Sequence, residues 1–190
     1  MRSLVVYESM YGNTHQIADR IGEALTSSGP VDVVPVSGAT PEVVAAADLL
    51  VVGGPTHVHT LSSRKSRESA RASAADYAAK HGTEPLTMDP HCDDPGLRDW
   101  FNDLPDGGNR LAAAFDTRLD ARAVLTGRAS KAIASRLKKH GYQLIAQPES
   151  FLVDKATRLP ESELVRAQHW AAGLANAATA DHHGDAANWS

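Results

Sequence analysis

The chain has 190 residues, enough for one domain with a buried core. Its composition, 42% hydrophobic and 22% charged, is that of an ordinary globule, and a formal net charge of −4 excludes the strong basic excess of general nucleic-acid binders. One cysteine, Cys92, excludes an intramolecular disulfide and fits a reducing cytoplasm.

The apolar run Leu4–Tyr7 is too short for the core of a signal peptide and is cut by Glu8. The most apolar stretch, Val43–Val52, contains Asp48 and has about half the ~20 residues a membrane span needs. The expectation is a soluble cytoplasmic protein, monomer or homodimer, with neither membrane nor nucleic acid as a partner.

Leu4–Tyr7, rich in β-branched residues, has the pattern of a strand buried on both faces. Ile17, Ala18, Ile21, Ala24 and Leu25 recur at spacings of three and four and predict an amphipathic helix, stopped by Ser27-Ser28-Gly29-Pro30. Val31–Val36 predicts a strand, and Pro41–Ala47 a short helix with Thr40 as its cap. Leu49–Val52 predicts a third strand, ended by Gly53-Gly54-Pro55. Ser62–His81 has helical propensity with a weak apolar stripe, and Gly82–Gly108 reads as loop with a short helix at Leu97–Phe101. Leu111–Phe115 predicts a fourth strand, and Ser130–His140 a helix whose basic end suits the helix dipole. Gln143–Val153 predicts a fifth strand interrupted at Pro148, and Glu161–Ala178 a closing helix; the polar residues Ala180–Ser190 are expected to be disordered. Alternating strands and helices imply right-handed crossovers and a doubly wound parallel sheet covered on both faces, a three-layer α/β/α domain over residues 1–178 with a tail at 179–190. Ligands bind beyond the carboxyl ends of such strands, which directs attention to the loops after the first, third and fourth.

The first loop, Ser9-Met10-Tyr11-Gly12-Asn13-Thr14, enters a helix. Unpaired N–H groups and the positive end of the helix dipole make such a turn a phosphate site, and Gly12 lets the backbone pass close to the anion. The absence of Lys and Arg excludes a Walker A motif, and the G-x-G-x-x-G of a dinucleotide site is also missing. A neutral cradle suits a monophosphate. Ser9–Thr14 resembles the FMN phosphate loop of flavodoxins, [ST]-x-T-G-x-T, with Tyr11 where Thr is commonest. The resemblance implies FMN as cofactor and the strand order 2-1-3-4-5.

In flavodoxin-like proteins the loop after the third strand faces the flavin ring. Here it reads Pro55-Thr56-His57-Val58-His59, with imidazoles where a large aromatic is usual. The alternatives for His57 and His59 are a structural or solvated role and a metal pair, although no nearby ligand completes the pair. The third loop, Phe115-Asp116-Thr117-Arg118, corresponds to the one facing the polar edge of the ring, and it offers an arginine in place of a stacking tyrosine. A cation there would stabilise an anionic reduced flavin by Coulomb attraction. The alternative is that Arg118 points to solvent or pairs with Asp120.

Arg64, Lys65, Arg67 and Arg71 form a basic run that reads either as a docking patch or as a solvated helix face. The carboxylates flanking Cys92 raise a thiol's pKa and argue against a nucleophile. Three functions follow: an FMN protein carrying electrons between partner proteins, an FMN-dependent reductase of a small acceptor such as a quinone, or a binding module without flavin.

Overall fold

The computed structural model describes residues 1–57, 60–70, 72, 86–122 and 126–186. Val58, His59 and Arg71 lie outside them, as do residues 73–85, 123–125 and 187–190.

The first strand, β1 (Ser3–Tyr7), is buried along its whole length. It lies between β2 (Val31–Pro35) and β3 (Leu49–His57), parallel to both, and β5 (Leu111–Leu119) pairs in parallel on the far side of β3. The fifth position is shared by two short strands, β6 (Gln143–Leu144) and β7 (Glu149–Val153), both parallel to β5. Pro148 falls in the break between them, where the sequence places an interruption. Counting β6 and β7 as one position, the order is the expected 2-1-3-4-5. A two-residue strand, β4 (Thr60–Leu61), adds antiparallel to the end of β3.

Helices α1 (Asn13–Leu25) and α5 (Glu161–Ala186) cover one face, with Ile17, Ile21 and Leu25 packing with Ala167, Ala171 and Leu174 over Val5, Val51 and Phe115. Helices α2 (Pro41–Ala45), α3 (Leu97–Asp103) and α4 (Ala129–Lys139) cover the other through Val44, Phe101, Ile133 and Leu137. Thr40 caps α2 as expected, its hydroxyl accepting from the Val43 N–H. Helix α5 runs on past Ala178 to Ala186.

Two strands are longer than the sequence implies. Gly53-Gly54-Pro55 continues β3, and Asp116, Thr117 and Arg118 continue β5. The two extensions pair with each other, Gly53 with Phe115 and Pro55 with Thr117. A Cβ at Gly53 would lie 2.0 Å from Cζ of Phe115, so the missing side chain is what admits the ring. Pro55 is tolerated for a separate reason. The Gly53 carbonyl faces β1 and accepts from the Glu8 N–H at 3.0 Å, so the nitrogen two residues on faces the same side, past the last paired residue of β1. No ladder bond is lost there.

Candidate functional site: a cleft at the carboxyl edge of the sheet

The loop after β1 turns into α1 through Gly12, which adopts a left-handed φ of 79°. A Cβ there would meet nothing closer than Gln16 Nε2 at 3.9 Å, so conformation rather than space requires glycine. The Gly12 N–H donates to Ser9 Oγ at 3.1 Å, and no side-chain cap closes α1. The first N–H groups of a helix have no intrahelical acceptor.

Helix α4 starts at the same edge of the sheet, and its end is closed. Thr56 Oγ1 accepts from the Ala129 N–H at 2.9 Å, and Asp116 Oδ2 accepts from the Ser130 N–H at 2.7 Å. Burial raises the Asp116 pKa, and the hydrogen bond from the Ser130 N–H opposes the rise.

A cavity of about 270 Å³ opens beside the α1 terminus, lined by Ser9, Met10, Tyr11, Asn13 and Thr14 from the first loop, Pro55, Thr56 and His57 from β3, and Thr117 and Arg118 from β5. Leu119, Val153 and Thr157 complete it. Its volume lies just under the usual ligand-pocket range of roughly 300–1,000 Å³. Gly12 shapes the first loop without lining the cavity. Phe115 is buried in the core, edge-on to Phe151 and Trp170, and Asp116 on the opposite face of β5 serves α4. The strand alternation that turns Thr117 toward α1 turns Asp116 toward α4.

Short polar contacts knit the walls together. Thr14 Oγ1 and Thr117 Oγ1 are 2.7 Å apart, and Asn13 Nδ2 donates to the Thr157 carbonyl at 2.8 Å. Thr157 has a positive φ of 60°, in a turn held by Asp154, whose Oδ1 accepts from the N–H groups of Ala156 and Arg158. Tyr11 donates its hydroxyl to the Ala70 carbonyl at 2.8 Å, and burial raises its pKa. Burial lowers the pKa of His57, with Glu8 opposing the shift and Arg67 adding to it, so the ring is neutral at neutral pH.

Behind the first loop, the rings of Tyr7 and His15 stack with centroids 4.3 Å apart, and the Tyr7 hydroxyl lies 2.9 Å from His15 Nε2. His15 Nδ1 is 3.1 Å from the buried Asp89, whose N–H donates to the Met10 carbonyl. Burial, reinforced by the nearby carboxylates of Asp89, Asp19 and Asp94, pushes the Tyr7 phenol well above its ordinary value.

The basic run after β4 divides. Arg64 pairs with Glu68 on the surface, whereas Arg67 turns inward, 3.8 Å from Glu8 and hydrogen-bonded to Ser62 at 3.1 Å. Glu8 also accepts from Ser62 Oγ and, at 2.8 Å, from the Leu97 N–H. A buried carboxylate needs such a counter-charge, which removes Arg67 from any surface patch.

Residues 4–68 match the flavodoxin domain family. The chain has a flavodoxin-like fold. An archaeal flavodoxin superposes with a TM-score of 0.62 at 17% identity, over 94% of this chain and 99% of that one. Oxidised flavodoxin 2 from Bacillus cereus gives 0.62 at 21%, over 93% and 99%. A flavodoxin, WrbA-like protein from Agrobacterium tumefaciens gives 0.54 at 18%, over 94% and 97%. At these identities the likeness is one of fold. No curated protein sequence matches the chain. No helix among the described residues is long and apolar enough to cross a membrane.

Sequence reasoning about this flavodoxin-like chain overlooks Leu119, Val153 and Thr157. Val153 and Thr157 belong to the end of the fifth strand position and the turn after it, a loop that strand order alone would have added to the search. Leu119, 48% exposed at the cavity rim, is one of two exposed large hydrophobic residues among those described.

Proposed function

We propose that this chain binds FMN at the cleft and works as a redox protein, taking electrons from one partner and passing them to another. The observation that carries the reading is the open N-terminus of α1 beside the cavity, on a loop without basic residues. A monophosphate fits there, held by N–H groups with Ser9, Asn13 and Thr14 as polar neighbours. Tyr11, Pro55, His57 and Leu119 would face the rest of the cofactor, which supplies the electron-transfer chemistry when bound. The chain's own task is then to orient the cofactor and to set the charge around it.

The test is the visible spectrum of the purified protein, followed by titration of FMN and of riboflavin into the stripped form. The expected result is a sub-micromolar dissociation constant for FMN and binding of riboflavin at least tenfold weaker, because riboflavin lacks the phosphate. Colourless protein that ignores FMN at high concentration overturns the reading and leaves a flavodoxin-like fold serving as a binding module.

A further inference from the structure

Among the described residues lining the cavity, Arg118 alone carries a formal charge at neutral pH. Burial holds His57 neutral. Four acidic residues adjoin the lining in sequence: Glu8 pairs with Arg67, Asp116 holds the end of α4, Asp154 pairs with Arg158, and Asp120 is exposed. Arg118 neither extends freely into solvent nor pairs with Asp120. Its Nη1 donates to the Ala121 carbonyl at 2.7 Å, the Leu119 carbonyl at 3.2 Å and Thr126 Oγ1 at 3.3 Å. Every one of these partners is neutral. Its Nε is buried and unpartnered, and it forms no ion pair among the described residues. A guanidinium fixed by dipoles and left without a counter-ion favours whichever state of the occupant is more negative.

Resting on the FMN reading above, we propose that Arg118 makes this site hold reduced FMN more tightly than oxidised FMN. Reduction of the flavin by two electrons with uptake of one proton adds one negative charge to it. The oxidised ring offers no such charge. Arg118 therefore stabilises the product of reduction more than the starting state, and binding raises the midpoint potential above that of the free cofactor. A site with this polarity suits a reductase that accumulates reducing equivalents for a small acceptor, and works against a low-potential carrier.

The test compares dissociation constants of oxidised and anaerobically reduced FMN, together with the two-electron midpoint potential of the bound couple. In the unaltered protein, reduced FMN should bind about tenfold more tightly, through the attraction of one added negative charge to the guanidinium. A tenfold preference places the bound potential about 30 mV above that of free FMN. Arg118→Gln should leave binding of oxidised FMN within about threefold and abolish the preference, whereas Arg118→Lys should retain most of it and Arg122→Gln, at an exposed arginine outside the cavity lining, all of it. Should Arg118→Gln not fold, the unaltered protein and Arg118→Lys still decide. Oxidised FMN bound at or above the affinity of reduced FMN overturns the proposal and leaves the FMN site standing. Equal loss of both affinities in Arg118→Gln assigns the residue a packing role and overturns it too. Failure of both forms to bind the unaltered protein overturns the FMN reading, and this inference with it.

Discussion

The close approach of Gly53 and Phe115 can be tested by exchanging volume between them. A Cβ at Gly53 would lie 2.0–2.3 Å from Cζ, Cε1 and Cε2 of the Phe115 ring, and the ring is boxed in by Phe151 and Trp170 at centroid distances of 6.1 and 6.2 Å. Gly53→Ala therefore overpacks a rigid core and should cost about 1–3 kcal/mol or more. Phe115→Leu removes the three far ring carbons, those the new methyl would strike. At roughly 0.8 kcal/mol per buried carbon this costs about 2–3 kcal/mol, with part of an edge-to-face contribution added. In the double variant the methyl introduced at position 53 occupies the vacated space. It should cost no more than Phe115→Leu alone, giving a favourable coupling of about 1–3 kcal/mol. Urea unfolding of the flavin-free protein, followed by two independent probes, measures all three free energies. Additivity within about 0.5 kcal/mol would refute the claim that the missing side chain at Gly53 exists to admit the ring.

Three further outcomes are expected. Gly12→Ala meets nothing closer than Gln16 Nε2 at 3.9 Å but holds a left-handed backbone, so it should lower stability by about 1–2 kcal/mol and weaken FMN more than riboflavin, read by urea unfolding and by titration. Asp116 has a pKa raised by burial, so from about pH 4 up to its raised value the folded chain binds more protons than the unfolded chain, and stability falls as pH rises. Asp116→Asn should abolish that fall, seen as a smaller loss of melting temperature than in the unaltered protein between about pH 4 and pH 7. Arg67→Met strands the buried Glu8 and should cost about 3–5 kcal/mol, while Glu8→Gln with Arg67→Met should recover most of that loss in thermal unfolding.

What the sequence discloses here is what is contiguous. β1, α1 and the loop between them are legible because a β-branched run, a glycine turn and a 3.6-residue period follow one another without interruption. Gly53-Gly54-Pro55 reads as a strand stop by local propensity, yet β5 alongside supplies the pairing that keeps it extended. Arg67 reads as one of four surface cations, and its partner Glu8 lies at the other end of the matched segment. Phe115 and Asp116 are assigned to a loop because the fourth strand's apolar run stops at Phe115; once the strand is seen to reach Leu119, alternation alone puts Asp116 behind the sheet. The positive φ of Thr157, which presents its carbonyl to Asn13, has no signature in residue type.

Helices α1 and α4 both begin at the carboxyl edge of one parallel sheet and carry the same positive dipole end there. The fold closes α4 with its own groups, and one of them, Asp116, is held with its charge disfavoured by burial. It leaves α1 open, behind a glycine whose backbone conformation costs other residues stability. An open helix end is tolerable because it borders a cavity that solvent or a ligand can enter, and the one charged residue among the described lining is again positive. In the proposed FMN complex the two features would act on different ends of one occupant. A phosphate satisfies the first without needing the second, and a group that gains negative charge on reduction satisfies the second without needing the first. A phosphorylated redox cofactor meets both demands at once. Riboflavin should therefore lose affinity in both oxidation states by a similar factor, whereas loss of the Arg118 charge should act on the reduced state alone.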